Sequence, residues 1–191
     1  MLNHFTYGSP VLQAILNRNN HSDGPVRCTD RELINTLLDV GMRISNVSEW
    51  CAWSYVIIQD ENYLKYLSNY ACLLSQLNQI PTQSSQLRQE VKGSNLTSLQ
   101  GSLIVVCANL NLPFIADDCW LGVENILLAA SALGYRADLQ GSLLSTLNSY
   151  TIKSHLSIPD ELTVLSAISI GWPDSTILPK KVSEPKVWRW L

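Results

Sequence analysis

The chain has 191 residues, enough for one domain with a sizeable core. Its residues are 46% apolar and only 15% charged, so more apolar surface is available than a freely solvated monomer of average composition would show, and a permanent subunit interface is expected. A net charge of −3 without a basic stripe argues against nucleic acid as a partner.

The N-terminal MLNHFTYGSPVLQ has no basic start, and no run of about 18 uninterrupted apolar residues occurs, so neither signal peptide nor membrane span is expected and the location reads as cytoplasmic. The spacing of Val11, Leu12, Ile15 and Leu16 predicts a short helix over Pro10–Asn17. The Asn- and Gly-rich NRNNHSDGP that follows reads as turns. Thr29-Asp30-Arg31-Glu32 reads as a capping box, with Thr29 as N-cap and Glu32 at the third helical position. It opens a helix whose buried side is Leu33, Leu37, Val40 and Ile44. Trp53–Ile58 (WSYVII) is a β-rich run closed by a polar turn at 59–62.

Residues 62–78 predict a helix through Leu64, Leu67, Ala71 and Leu74. The polar stretch 79–101, with Pro81, Gly93 and many Gln and Ser, predicts a short helix plus loops. Ser102–Ala108 (SLIVVCA) is apolar almost throughout, as a central strand would be. The clearest helix, DCWLGVENILLAASAL over 118–133, stops at Gly134, a natural C′ residue. Being apolar nearly all round, it is expected to be buried on most sides. Residues 141–156 predict a further helix, 158–160 a turn, and 164–171 (VLSAISIG) a third strand. The tail from Trp172 carries three Pro and ends in WRWL. Helices alternating with few strands, and no internal repeat or linker, predict a single α+β domain over 1–191.

The five cysteines, Cys28, Cys51, Cys72, Cys107 and Cys119, are odd in number, widely spaced and without a CxxC pair. They read as buried apolar thiols in a reducing cytosol rather than as a disulfide framework or a metal site. His4, His21 and His155 are scattered, form no His/Asp/Ser set and no HExxH, and so supply no general-base constellation. His155, at a helix end, reads as structural.

Three stretches in order and spacing carry a resemblance. The first is ILNRNNHSDGPVRCTDRELINTLLDVGMRISNVSEWCAWSYVII, the second DDCWLGVENILLAASALGYRADLQG, the third LSIPDELTVLSAISIGWPDSTILPKK. They resemble the nitroreductase family of flavin enzymes. That family opens with a helix, an Arg-Arg-Ser-x-Arg-x-Phe segment, a second helix, and Pro-Ser-x-x-Asn-x-Gln-Pro-Trp leading into a strand. Its central helix carries Gln-Asn and ends in Gly-Leu-Gly, and its last strand is followed by Gly-Tyr-Pro and a basic phosphate-binding tail. Asn125 and Gly171-Trp172-Pro173 are the clearest matches.

Placing Ile15-Leu16 on the family's first helix puts Arg18 on the first Arg, with Asn19 and Asn20 replacing the second Arg and the Ser, and Ser22 the last Arg. A shift of one residue would instead place Asn17 and His21 at the first and last Arg. The first register is preferred because it retains a cation for a phosphate. In the second box, Glu49 stands for Asn, Cys51 for Gln and Ala52 for Pro, while Trp53 matches the Trp.

The resemblance implies a nitroreductase-like α+β fold: a central mixed sheet flanked by helices, with the long apolar central helix at a dimer interface. It implies non-covalently bound flavin mononucleotide (FMN). Arg18 would present its fork to the phosphate, and Lys180 and Lys181, after Pro179, lie where the family's basic tail reaches the same phosphate. Asn20 and Ser22 would donate to the flavin ring, and Glu49 would accept from the ring N3–H or face the substrate. The plainer alternatives are solvated surface charges for the cations and local turn hydrogen bonds for Asn20 and Ser22. Trp50, Trp53 and Trp120 read as core packing before slot walls. The catalytic residues are left to the flavin itself.

The partners implied are a small-molecule substrate and a homodimer or higher assembly, with a second polypeptide left open, and residues 172–191 form a C-terminal extension reaching a neighbouring subunit. Within the family, the short chain and divergent flavin box lean towards oxidation of a small peptide-derived natural product, such as a cyclic dipeptide, with oxygen as acceptor. The alternatives are an NAD(P)H-dependent nitro/quinone reductase and a flavin-less, non-catalytic partner subunit. A plain helical interaction domain would leave the Asn125 and Gly171-Trp172-Pro173 matches to chance.

Overall fold

The computed structural model describes residues 9–18, 26–44, 53–77 and 99–173. In chain order the elements are α1 (Pro10–Asn17), β1 (Val26–Arg27), α2 (Arg31–Gly41), β2 (Trp53–Ile58), α3 (Glu61–Leu77), β3 (Ser102–Ala108) and α4 (Ile115–Ala132). They continue with β4 (Arg136–Leu139), a 3-10 turn (Gly141–Leu143), α5 (Leu144–Leu147), α6 (Tyr150–His155) and β5 (Thr163–Pro173).

The unbroken apolar run of β3 has a direct physical cause. All seven of its residues are buried, because helices cover both faces of the sheet. Strand alternation sends Ile104, Val106 and Ala108 into one core with Ile34 and Leu37 of α2 and Cys119, Val123, Ile126 and Leu127 of α4. Leu103, Val105 and Cys107 point the other way, into a second core with Leu64, Leu67 and Ala71 of α3, Leu147 of α5 and Ile152 of α6. The α+β expectation is met, with the sheet as the middle layer.

β3 pairs with β2 on one edge and β5 on the other, and β4 pairs with β5 through Arg136↔Gly171 to Leu139↔Ile168. Residues 168–170 of β5 pair with both β3 and β4, so β5 lies between them. The expected mixed sheet is antiparallel at every pairing among the described residues. The reason is this insertion: β3 and β4, joined through α4, run the same way, but β5 separates them and opposes both. A register shift at Val106/Cys107 leaves Leu165 as the extra residue of a bulge in β5. Trp172 and Pro173 are the last residues of β5 and pair with β1.

Several expectations are corrected locally. The N-cap of α2 is Asp30, whose carboxylate accepts from the Leu33 amide at 2.7 Å, not Thr29. Thr29 is buried instead, its hydroxyl 2.7 Å from that of Ser102, and so is committed to the sheet. The buried stripe of α2 is Ile34, Leu37 and Gly41, turned from the expected Leu33–Val40 line because α2 meets α4 at Gly41. There the two backbones nearly touch: a Cβ on Gly122 would lie 2.6 Å from the Gly41 carbonyl oxygen.

α4 begins three residues before the expected start, after Phe114, which adopts φ 62. Its end is as expected: Gly134 (φ 80) donates to Ser131 and Tyr135 to Ala130, a Schellman closure. The single helix expected over 141–156 is broken between α5 and α6. Asn148 donates to the Leu144 and Val164 carbonyls and accepts from the Val164 amide, holding the break against the start of β5. Strands β1 and β4 were missed, being two residues long in one case and RADL, half charged, in the other.

Candidate functional site

Arg18 is the first residue beyond α1, with extended backbone at φ −58, ψ 120. Its Nη1 donates to Oε1 of Glu124 on α4, forming an ion pair that ties the end of α1 to the outer face of the central helix. The Arg18 side chain remains 25% exposed and that of Glu124 47% exposed, so the pair is open to solvent and to a ligand. Next to Glu124, the Asn125 side-chain amide donates to the Arg43 carbonyl at 3.0 Å, which fastens α4 to the segment leaving α2. The family-matched Asn125 is thus placed in a structural contact.

A second polar group lies at the β4–β5 edge. Arg136 Nε donates to Asp138 Oδ2 at 2.8 Å, and Gln140 donates to the Ser169 hydroxyl at 2.8 Å. Beside it the ring of Tyr135 meets the half-exposed Trp172 edge-on, with centroids 5.1 Å apart. A third group, at the entry to α2, is held by Gln59, whose side-chain amide donates to the Thr29 carbonyl at 2.7 Å and to the Ser102 hydroxyl at 2.9 Å.

Of the residues expected at the site, Arg18 is described, and its guanidinium is paired with Glu124. Asn20, Ser22, Glu49, Lys180 and Lys181 lie outside the described residues, as do Trp50, Cys51 and Ala52. Trp53 is core, as expected, and its indole N–H donates to the Tyr55 hydroxyl at 3.1 Å. Burial pushes the Tyr55 hydroxyl's pKa up, partly offset by that Trp53 hydrogen bond. Trp120 is not core: it is 43% exposed on the outer face of α4, next to the exposed Leu121. The expectation that α4 is buried on most sides therefore holds for one face only, since the sheet and α2 cover one side of the helix.

The expectation of buried thiols is met at Cys107 and Cys119, whose burial pushes their pKa up to about 11 and about 12. For Cys119 the neighbouring Asp118 and Cys107 add to the shift. Cys28 is exposed, contrary to expectation, and its thiol donates to the Gly101 carbonyl at 3.1 Å. Among the described residues no cluster of His, Cys, Asp or Glu could hold a metal ion. Nor is any helix among them long and apolar enough to cross a membrane.

Glu124, the ion-pair partner of Arg18, is the residue that sequence reasoning passed over. The signal was present: it is the one charged residue in CWLGVENILLAASAL.

An antiparallel sheet between two helical layers, with Arg18 paired to Glu124 on the long central helix, defines an α+β protein. The nitroreductase family model matches residues 27–172, and the chain belongs to the nitroreductase family. This is a family of FMN-dependent oxidoreductases, as the sequence motifs implied. A provisionally named NADH dehydrogenase/NAD(P)H nitroreductase of Archaeoglobus fulgidus is 26% identical over 154 residues, 76% of this chain and 77% of that protein. Among solved structures, a nitroreductase with bound FMN from Desulfitobacterium hafniense is similar with a TM-score of 0.74 at 20% identity, covering 92% of this chain and 95% of that one. A nitroreductase with bound FMN from Bacteroides fragilis has a TM-score of 0.70 at 17% identity, covering 96% and 99%. At these identities the structural likeness establishes the fold.

The described part of the site fits an FMN phosphate in its donor chemistry. A guanidinium is planar, permanently charged and forked to match phosphate oxygens. Arg18 offers one that is partly exposed and uses Nη1 for its protein partner. With Glu124 beside it the pair is formally neutral, so a phosphate dianion needs further cations.

Proposed function

We propose that the chain binds FMN non-covalently and passes electron pairs between a donor and a small organic molecule. The observation that carries this reading is the family match over residues 27–172, supported by bound FMN in the similar Desulfitobacterium hafniense and Bacteroides fragilis structures. Arg18, Lys180 and Lys181 hold the phosphate, and Asn20, Ser22 and Glu49 line the ring edge. FMN supplies the two-electron chemistry when bound; the chain's own residues bind it, orient it and shape the slot. Assembly as a homodimer through the outer face of α4 is part of the reading. Trp120 and Leu121 there, and Val11 and Leu16 on α1, are large apolar side chains left exposed in a single chain. The protein works in the cytoplasm.

The test of cofactor binding is titration of FMN by fluorescence quenching. Arg18→Ala, and separately the double Lys180→Ala, Lys181→Ala variant, weaken binding by on the order of 1–3 kcal/mol, the usual worth of a charge-assisted contact. Unchanged flavin content in both variants would remove the phosphate assignment.

Two readings of the electron source remain. The names of the Archaeoglobus fulgidus and Methanothermobacter thermautotrophicus relatives favour NAD(P)H as donor to a nitro or quinone acceptor. The departures Glu49, Cys51 and Ala52 from the family's flavin box favour oxidation of a peptide-derived molecule such as a cyclic dipeptide, with oxygen as acceptor. Anaerobic rapid mixing of the FMN-loaded protein with NADH, NADPH and a panel of cyclic dipeptides separates them. Fast bleaching of the flavin by a nicotinamide and none by the panel selects the reductase.

A further inference from the structure

We propose that Glu124 is a positioning residue for the phosphate cation, an inference that rests on the FMN reading above: its carboxylate holds the Arg18 guanidinium in place before the cofactor arrives.

Glu124 stands on the outer face of α4. Its helical neighbours at i±3 and i±4 are Trp120, Leu121, Leu127 and Leu128, so it has no cation to pair with on its own helix. A lone carboxylate in an otherwise apolar stretch contributes nothing to burying α4, and its partner comes from 106 residues away, at the end of α1. Arg18 in turn lies one residue past the helix, where backbone geometry alone does not restrain a long side chain. Freezing such a side chain costs rotamer entropy, and an existing ion pair removes part of that cost from the binding step.

The alternative is that Glu124 competes with the phosphate. Both side chains are partly exposed, at 25% and 47%, so repulsion between the carboxylate and a phosphate is screened by water and salt. The ion pair itself is screened in the same way, so what separates the two readings is geometry. A guanidinium carries five N–H donors in one plane, and the ion pair engages Nη1, leaving donors for phosphate oxygens.

The experiment compares FMN with riboflavin, which lacks the phosphate, by fluorescence titration of the full chain. Glu124→Ala is expected to weaken FMN binding about five- to tenfold, the size of one ordering contact, and to leave riboflavin binding unchanged. Glu124→Gln keeps an acceptor oxygen and recovers most of the loss. In an Arg18→Ala background, Glu124→Ala has no further effect. A Glu124→Ala protein that binds FMN as tightly as the wild type, or more tightly, overturns the inference while the cofactor reading survives. An equal loss for riboflavin also overturns it, because a general structural role would act on both flavins. A wild-type chain that binds neither flavin overturns the cofactor reading and this inference with it.

Discussion

Replacing Gly122 by alanine tests the packing that sets α2 against the central helix. The added Cβ would lie 2.6 Å from the Gly41 carbonyl oxygen, where ordinary contact begins at 3.4 Å, so the helices must part by roughly 3.4 − 2.6 = 0.8 Å. A backbone carbonyl cannot rotate out of the way. The displacement would loosen Val123 and Ile126 against Ile34 and Leu37 in the same core. Overpacking of this kind costs about 1–3 kcal/mol, and a backbone obstacle places it at the upper end. Against that, alanine is better than glycine inside a helix by about 1 kcal/mol. The net loss is therefore about 2 kcal/mol, or a fall in Tm of about 4–8 °C for a chain of this size. Gly41→Ala should cost less, because its nearest obstacles are side-chain atoms of Ile126, Cδ1 at 2.8 Å and Cγ1 at 2.9 Å, rather than backbone. Gly141→Ala meets nothing within 4 Å and serves as the control. Thermal unfolding followed by circular dichroism gives all three values. A Gly122→Ala protein as stable as the wild type, or more so, would mean that helix propensity outweighs the contact and that the close approach is not a constraint.

Asp30→Ala should lower stability by about 1 kcal/mol in urea unfolding, the worth of an N-cap, because its carboxylate accepts from the Leu33 amide; no loss would return the cap to Thr29. The buried thiols Cys107 and Cys119 make stability fall at high pH. Their folded values of about 11 and about 12 exceed the ordinary thiol value of 9.0, so the unfolded chain releases these protons first. The stabilisation is whole below about pH 9 and lost as pH rises through 11 to 12. Replacing both by alanine should flatten that part of the unfolding profile, and an unchanged slope would refute the assignment.

The elements legible from the chain alone were those whose pattern is enforced by burial over several turns or residues. The bounds of α1, β2 and β3 were read without error, and the Schellman end of α4 at Gly134 was visible as a glycine after an apolar run. Apolar periodicity and an αL glycine are local consequences of lying against a core, so they survive in one dimension. The family resemblance was legible for a related reason, since its clearest matches, Asn125 within α4 and Gly171-Trp172-Pro173 at the end of β5, are short and local in sequence.

What only the tertiary structure decided were choices between local options of similar energy. Thr29 and Asp30 are both good caps, and the contest was settled by Ser102, seventy-three residues away, which takes the Thr29 hydroxyl. The break within 141–156 depends on Asn148 reaching Val164, and RADL becomes a strand only because β5 offers it an open edge. The buried stripe of α2 is turned by the approach of Gly122 to Gly41. The sequence marked Arg18 as a cation for a phosphate, but the carboxylate it pairs with lies 106 positions along the chain on another helix. Periodicity carries no information about which distant carboxylate a flexible guanidinium will find; that depends on how α1 crosses α4, and crossing is a property of the packed core.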